Sequence, residues 1–104
     1  MLVQFNPGND TQAREPLAQW AEEVVNHALR RFAEHITRVE VHVSDDNGGK
    51  AGADDKRCTM EARITGHPPL AVTNHASAMR AAITGAADKL QRSIDHTLGR
   101  LDRR

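Results

Sequence analysis

Residues 77–102 constrain the fold of this chain most, because their side chains repeat with the period of an α-helix. At about 100° per residue, the apolar residues of this segment fall on one face. They are Met79, Ile83, Ala86, Ala87, Leu90, Ile94, Leu98 and Leu101. An apolar face of this kind is buried against a second layer of structure. The segment therefore predicts a long helix with one side in a hydrophobic core.

The charged side chains of the same helix are sorted by sign. Its basic residues and one histidine gather within an arc of roughly 80°. They are Lys89, Arg92, His96, Arg100 and Arg103. Asp88, Asp95 and Asp102 recur every seventh residue on a third face. A face that only keeps a protein soluble mixes the two signs, so the sorted pattern favours a cationic surface for an anionic partner. An ordinary solvated face is the alternative.

Length and charge limit the protein class. A chain of 104 residues forms one core, and we expect a single domain over residues 1–104. Its 14 basic and 14 acidic residues cancel, so only their uneven distribution can orient a polyanion. The lone Cys58 excludes an internal disulfide and suits a reducing cytosol. With no long apolar run and no secretion signal, we expect a cytoplasmic protein without membrane contact.

The remaining segments predict the element order β-α-β-β-β-α. Alternating apolar and polar residues indicate strands at residues 36–44 and 57–64, and short strands next to turn residues are expected at 2–6 and 70–74. A first helix is expected to begin near Glu15 and to carry an apolar face as far as Phe32, with Trp20 as a core anchor. Two amphipathic helices and a sheet with one apolar face predict an α+β, two-layer sandwich. Its four-stranded sheet has both helices packed on one face, and its first two strands are parallel.

Catalytic and metal-binding patterns are missing from the sequence. The six histidines form no helical i, i+4 pair, and none lies beside the cysteine at zinc-ligand spacing. The Asp-rich loop that starts at Asp45 fails as a calcium loop, because Lys56 occupies the position of the bidentate glutamate. Cys58 faces inward and suits inert packing. We expect no enzymatic activity, no catalytic residue, no metal, no cofactor and no small-molecule substrate.

Further cations lie outside the last helix. Arg30 and Arg31 close the predicted first helix and extend the cationic face if the two helices lie side by side. The run Asp54-Asp55-Lys56-Arg57 is either a solvated charge cluster or the loop edge of a binding site. The scarcity of aromatic residues disfavours base stacking, so backbone and shape recognition of folded RNA fits better. The predicted RNA-binding residues are Arg30, Arg31, Lys56, Arg57, Lys89, Arg92, His96, Arg100 and Arg103.

Three segments carry a resemblance to a known family. They are RFAEHITRVEV at residues 31–41, DDKRCTMEAR at residues 54–63 and AADKLQR at residues 86–92. With this order of elements, the chain resembles the ribosome hibernation-promoting factor and ribosome-associated inhibitor family, also called the sigma-54 modulation protein family. Because the chain stops after the last helix, the resemblance is to a short form without the carboxy-terminal domain through which long relatives dimerise ribosomes.

The resemblance implies a function. Family members bind the small ribosomal subunit in the channel for mRNA and tRNA, contact rRNA through basic residues of two helices, and block translation in stress or stationary phase. By position, Lys89 and Arg92 match the family's basic pair in the second helix, and Arg31 matches at the end of the first. Many relatives have lysines in the first helix where this chain has Glu22 and Glu23. We expect a monomer that acts on single ribosomes or together with another factor.

One alternative belongs to another class of protein. The same basic helix would suit a regulatory module that holds an acidic protein partner. The acidic residues of the first helix and of the loop at residues 45–55 favour this hypothesis, because they suit a protein surface better than rRNA. Survival of the complex after RNA digestion would distinguish the two.

Overall fold

The computed structural model describes residues 1–8, 15–46 and 55–102, with side chains as far as residue 99. Its elements follow the order β-α-β-β-β-α, as predicted, with one additional 3-10 helix. They are β1 (Leu2–Asn6), α1 (Glu15–Ala28), the 3-10 helix (Arg30–His35), β2 (Ile36–Asp45), β3 (Lys56–Ile64), β4 (Leu70–Ala76) and α2 (Met79–Asp102).

The four strands form one sheet in the order β1-β2-β3-β4. β1 pairs with β2 in parallel, and the other two pairings are antiparallel. A single row across the inner face runs from Phe5 through Val41 and Met60 to Val72. The parallel start and the antiparallel meander predicted from the sequence are both confirmed.

Alternation along the two central strands separates core from solvent. Val39, Val41 and Val43 of β2 are buried, as are Cys58 and its alternate neighbours on β3. The residues between them form a polar outer face. Because successive side chains of a strand point to opposite sides, this pattern places all of the packing on one face of the sheet.

Both helices cover that inner face. α2 is an unbroken helix of 24 residues, about 36 Å long at 1.5 Å per residue. Its predicted apolar face is confirmed from Ile83 to Leu98, where every predicted residue is buried, and Met79 packs at the margin of the core. α1 contributes Ala21 and Val25 to the same core. Among the described residues, no helix is both long and apolar enough to cross a membrane.

The prediction of one continuous first helix as far as Phe32 is wrong. α1 ends at Ala28, and Arg30–His35 form a 3-10 helix in which the Phe32 amide donates to the Leu29 carbonyl over 2.9 Å. Residues three apart eclipse one another in a 3-10 helix. Leu29 and Phe32 therefore both point into the core, and both are buried. An apolar spacing of three fits either kind of helix, so the sequence did not distinguish them.

Trp20 lies at the margin of the core, whereas the sequence predicted a core anchor. It is half-buried and packs against the core cluster. The guanidinium carbon of Arg80 from α2 stands 4.5 Å from the centre of its ring. This cation–π contact joins the second turn of α1 to the first turn of α2.

Candidate nucleic-acid interface

The two charged strips of α2 lie on opposite flanks of the helix. The Lys89 ammonium donates a hydrogen bond of 2.9 Å to the carbonyl oxygen of Thr73, on the outermost strand β4. Asp95, on the other flank, accepts a hydrogen bond of 3.3 Å from Arg31 in the 3-10 helix that follows α1. The cationic strip therefore runs along the β4 edge, and the acidic strip faces α1.

Lys89 and His96 lie on the β4 flank of α2, and Arg92 lies on the exposed crest of the helix, about 40° from Asp88. Arg92 and His96 lie within about 60° of Lys89 around the helix axis, and all three are exposed. Within the described part of the chain, no hydrogen bond or ion pair engages the side chain of Arg92 or His96. The backbone of Arg100 continues α2 about 20° from Lys89, while Arg103 lies outside the described residues. We call Lys89, Arg92 and His96 the cationic flank.

Arg30 and Arg31 do not extend the cationic flank. Arg31 is exposed, contacts Asp95, and has its guanidinium carbon 5.0 Å from the centre of the Phe32 ring. The acidic strip thus lies between these arginines and Lys89. Arg30, the first residue of the 3-10 helix, is exposed and has no ion-pair partner among the described residues. The seven-residue spacing of Asp88 and Asp95 predicted the acidic strip. The sequence did not show that this strip lies beside α1.

Lys56 forms ion pairs with two carboxylates where β2 ends and β3 begins. Its ammonium lies 3.0 Å from an oxygen of Asp55 and 3.3 Å from an oxygen of Asp45. The hydrogen bond to Asp55 and the one to Asp45 raise the pKa of this lysine above its ordinary value. The Asp55 side chain is only 3% exposed, so the interpretation of this segment as a solvated cluster is wrong for Asp55. The charge of Lys56 is thus engaged by two carboxylates of the protein, while 21% of its side chain remains exposed.

Arg57 belongs to the outer face of the sheet, away from both helices. Its Nη2 lies 3.6 Å from Asp46, and its Nε donates to the Ser44 hydroxyl over 3.1 Å. Cys58, the next residue, points inward and is completely buried. The structure therefore separates Arg57 from the cationic flank of α2.

The inward face of β3 provides no reactive thiol. Burial raises the pKa of Cys58 to about 12, so its thiol is neutral near pH 7 and a poor nucleophile or metal ligand. Within residues 1–8, 15–46 and 55–102, no group of three or more His, Cys, Asp or Glu side chains is arranged to hold a metal ion.

Residues 7–102 match the family described as Sigma 54 modulation protein / S30EA ribosomal protein. The chain belongs to this family. The resemblance inferred from residues 31–41, 54–63 and 86–92 is thereby confirmed. No functionally curated protein matches the sequence.

Two solved structures share the fold. One is the N-terminal domain of Protein Y from Thermus thermophilus, with a TM-score of 0.75, 15% sequence identity, and coverage of 93% of this chain and 99% of that one. The other is a ribosomal subunit interface protein from Coxiella burnetii, with a TM-score of 0.72 and 12% identity, covering 95% of this chain and 99% of that one. At these identities the likeness concerns the α+β fold alone.

Proposed function

We propose that this chain is a non-enzymatic, ribosome-associated translation inhibitor, a hibernation factor of the S30EA family. It binds small-subunit rRNA in the channel for mRNA and tRNA during stress or stationary phase. It acts in the cytoplasm as a single-domain monomer. The observation that carries the proposal is the cationic flank, held on an unbroken α2 in a chain of this family.

The flank has the dimensions of a phosphate contact. From Lys89 to Arg100 the helix rises about 16 Å, which places several positive groups along one edge. Cations that meet phosphates in register release condensed counterions, and this release supplies most of the affinity for a nucleic-acid backbone. Stacking on RNA bases would need an aromatic side chain beside the cationic flank. Trp20 is half-buried and lies on the other side of α2, which supports recognition of backbone and shape in folded RNA.

Lys89 is held in place for such a contact. An ammonium group has three N–H donors, and the hydrogen bond to the Thr73 carbonyl uses one of them. The side chain stays exposed, so the remaining donors are available to a phosphate. Because the lysine is already oriented, less side-chain entropy is lost when it binds.

The acidic strip sets the direction of approach. Asp88 and Asp95 lie toward α1, and Glu22 and Glu23 are exposed on α1 itself. Phosphates are repelled from this side and attracted along the β4 edge. The proposal therefore assigns rRNA to the β4 flank of α2, and it explains how acidic residues on α1 are compatible with RNA binding.

The test is co-sedimentation of small ribosomal subunits with a variant in which Lys89, Arg92 and Arg100 are all replaced by Ala. We expect binding to be lost with little change in melting temperature, because the cationic flank is exposed. Arg80→Ala is the matched control: it removes one positive charge from the same helix, but from the side that contacts Trp20, and it should retain binding. Undiminished binding of the triple variant would overturn the proposal.

Salt and ribonuclease provide two further readouts. Each phosphate contact that is lost should reduce the slope of log affinity against log salt by about 0.7 to 0.9. A complex that survives complete RNA digestion would instead assign the flank to an acidic protein partner.

A further inference from the structure

A groove of about 540 Å³ runs between the outward sides of α1 and α2. Trp20 and Val24 from α1 and Ala87 from α2 give it an apolar lining. This volume falls within the range of pockets that hold small organic ligands or a few amino-acid residues. Because the cationic flank faces β4, the groove is separate from the surface assigned above to rRNA.

Acidic side chains stand on both walls of the groove. Glu23 comes from α1 and Asp88 from α2. Both are exposed, and neither has an ion-pair partner among the described residues. A cationic side chain between them would be attracted by two carboxylates while its aliphatic stem packed against the indole of Trp20. The two walls thus combine charge complementarity with apolar contact.

The far end of the groove has the opposite polarity. Arg30 and Arg31 line it there, and Asp95 neutralises Arg31. Arg30 therefore supplies the uncompensated positive charge. From Glu23 on α1 to Arg30, the first residue of the 3-10 helix, the chain advances about 11 Å, which an extended peptide covers in about three residues.

We propose that this groove binds an extended peptide segment of a protein partner. A lysine or arginine side chain of the segment lies between Glu23 and Asp88. A carboxylate, from a side chain or from the chain terminus, lies about three residues away at Arg30. Glu23 and Asp88 repel a phosphate from the part of the groove that they line, whereas Arg30 and Arg31 line its other end. A lining of both signs matches a peptide that carries both signs better than it matches a uniformly anionic RNA backbone. This assignment goes beyond the ribosomal function and does not depend on it.

The test uses the intrinsic fluorescence of Trp20, the single tryptophan of the chain. The probe is a short acetylated peptide of alanine and leucine with one arginine and a free carboxyl terminus three residues later. We expect a saturable change in emission. Replacement of the arginine in the probe by glutamate should weaken binding at least about tenfold, because the attraction becomes repulsion.

Variants of the protein locate the contact. Glu23→Gln combined with Asp88→Asn should weaken binding of the arginine peptide about tenfold or more. Glu22→Gln should leave it unchanged, because Glu22 is exposed on α1 but does not line the groove. Circular dichroism of each variant confirms that it is folded.

Three outcomes would overturn the assignment: equal binding of the arginine and glutamate peptides, unchanged affinity in the double variant, or a saturable response to oligouridine in place of the peptide. The variant lacking Lys89, Arg92 and Arg100 should still bind the arginine peptide. Failure of the groove and failure of the rRNA interface are therefore separate results.

Discussion

Gly85 of α2 packs directly on Asn74 of β4, so closely that a Cβ atom at residue 85 would overlap the Asn74 side-chain amide. The same amide donates a hydrogen bond of 3.2 Å to the carbonyl oxygen of Ala82, one turn earlier in α2. Asn74 stands among apolar neighbours on the inner face of β4 and is half-buried. This pair fixes the distance between α2 and the edge of the sheet, and with it the position of the cationic flank.

Gly85→Ala should therefore destabilise the protein, although alanine is the better helix former. Helix propensity favours the substitution by about 1 kcal/mol, while overpacking costs about 1 to 3 kcal/mol. We expect a net loss of about 1 kcal/mol in the free energy of unfolding, measured by chemical denaturation. Gly99→Ala is the control, since its new Cβ would meet only Asp95 at 3.9 Å, and it should be neutral or stabilising.

A second substitution tests the cause. Asn74→Ala removes the overlapping group and its hydrogen bond, so alone it should cost about 1 kcal/mol. Combined with Gly85→Ala, it should recover stability relative to Gly85→Ala alone. Additive losses in the double variant would show that the close approach is not the source of the effect.

The sequence predicted what local periodicity determines. The apolar face of α2 and the alternation of Val39, Val41 and Val43 recur at spacings set by the helix and strand themselves. These spacings decide which side of each element is buried, and the parallel β1–β2 pair follows from the β-α-β order. The end of α1 was not determined in this way, because Leu29 and Phe32 fit both kinds of helix.

The partners of charged residues were beyond the reach of the sequence. Arg31 and Asp95 are 64 residues apart, and their contact depends on how α2 is rotated about its axis beside α1. Lys56 carries the same formal charge as Lys89, but it meets carboxylates where Lys89 meets a backbone carbonyl and solvent. Sequence gives the sign of a charge, and only packing decides whether that charge remains available.

Lys56→Gln should lower the melting temperature without affecting ribosome binding. The substitution removes the cation shared by the nearly buried carboxylates of Asp45 and Asp55, and a buried charge that loses its counterion is strongly unfavourable. Arg57→Gln, which alters only exposed contacts, should leave the melting temperature almost unchanged. A decrease in the salt dependence of ribosome binding for Lys56→Gln would show instead that this lysine contacts phosphate.

Cys58 should make the protein less stable in alkali. Its ordinary pKa of 9.0 is raised by burial to about 12 in the native state, so between these values the unfolded chain binds fewer protons than the native one. Stability then falls as pH rises, by about 1 kcal/mol per pH unit from this group. Denaturation between pH 9 and 12 should show this slope reduced in Cys58→Ala.

The same burial protects the thiol from chemistry. At neutral pH a thiol reagent should label Cys58 only after denaturant unfolds the chain. Rapid labelling of the native protein would contradict the buried position of this side chain.

Asp95→Asn should strengthen binding to the small ribosomal subunit. The substitution removes one charge from the acidic strip and releases Arg31 from its ion pair. Both partners are more than half exposed, so the pair contributes at most about 1 kcal/mol to stability and the fold should be unaffected. A released Arg31 that meets a phosphate should steepen the dependence of log affinity on log salt by about 0.7 to 0.9.

A double variant separates the two effects of this substitution. If Arg31 makes the new contact, Arg31→Gln in the Asp95→Asn background should return the salt slope to its original value. If the gain comes only from weaker repulsion, the double variant should keep its affinity and the slope should not change. If neither variant binds more tightly than the unmodified protein, the acidic strip does not influence rRNA binding, and the contact is confined to the β4 side of α2.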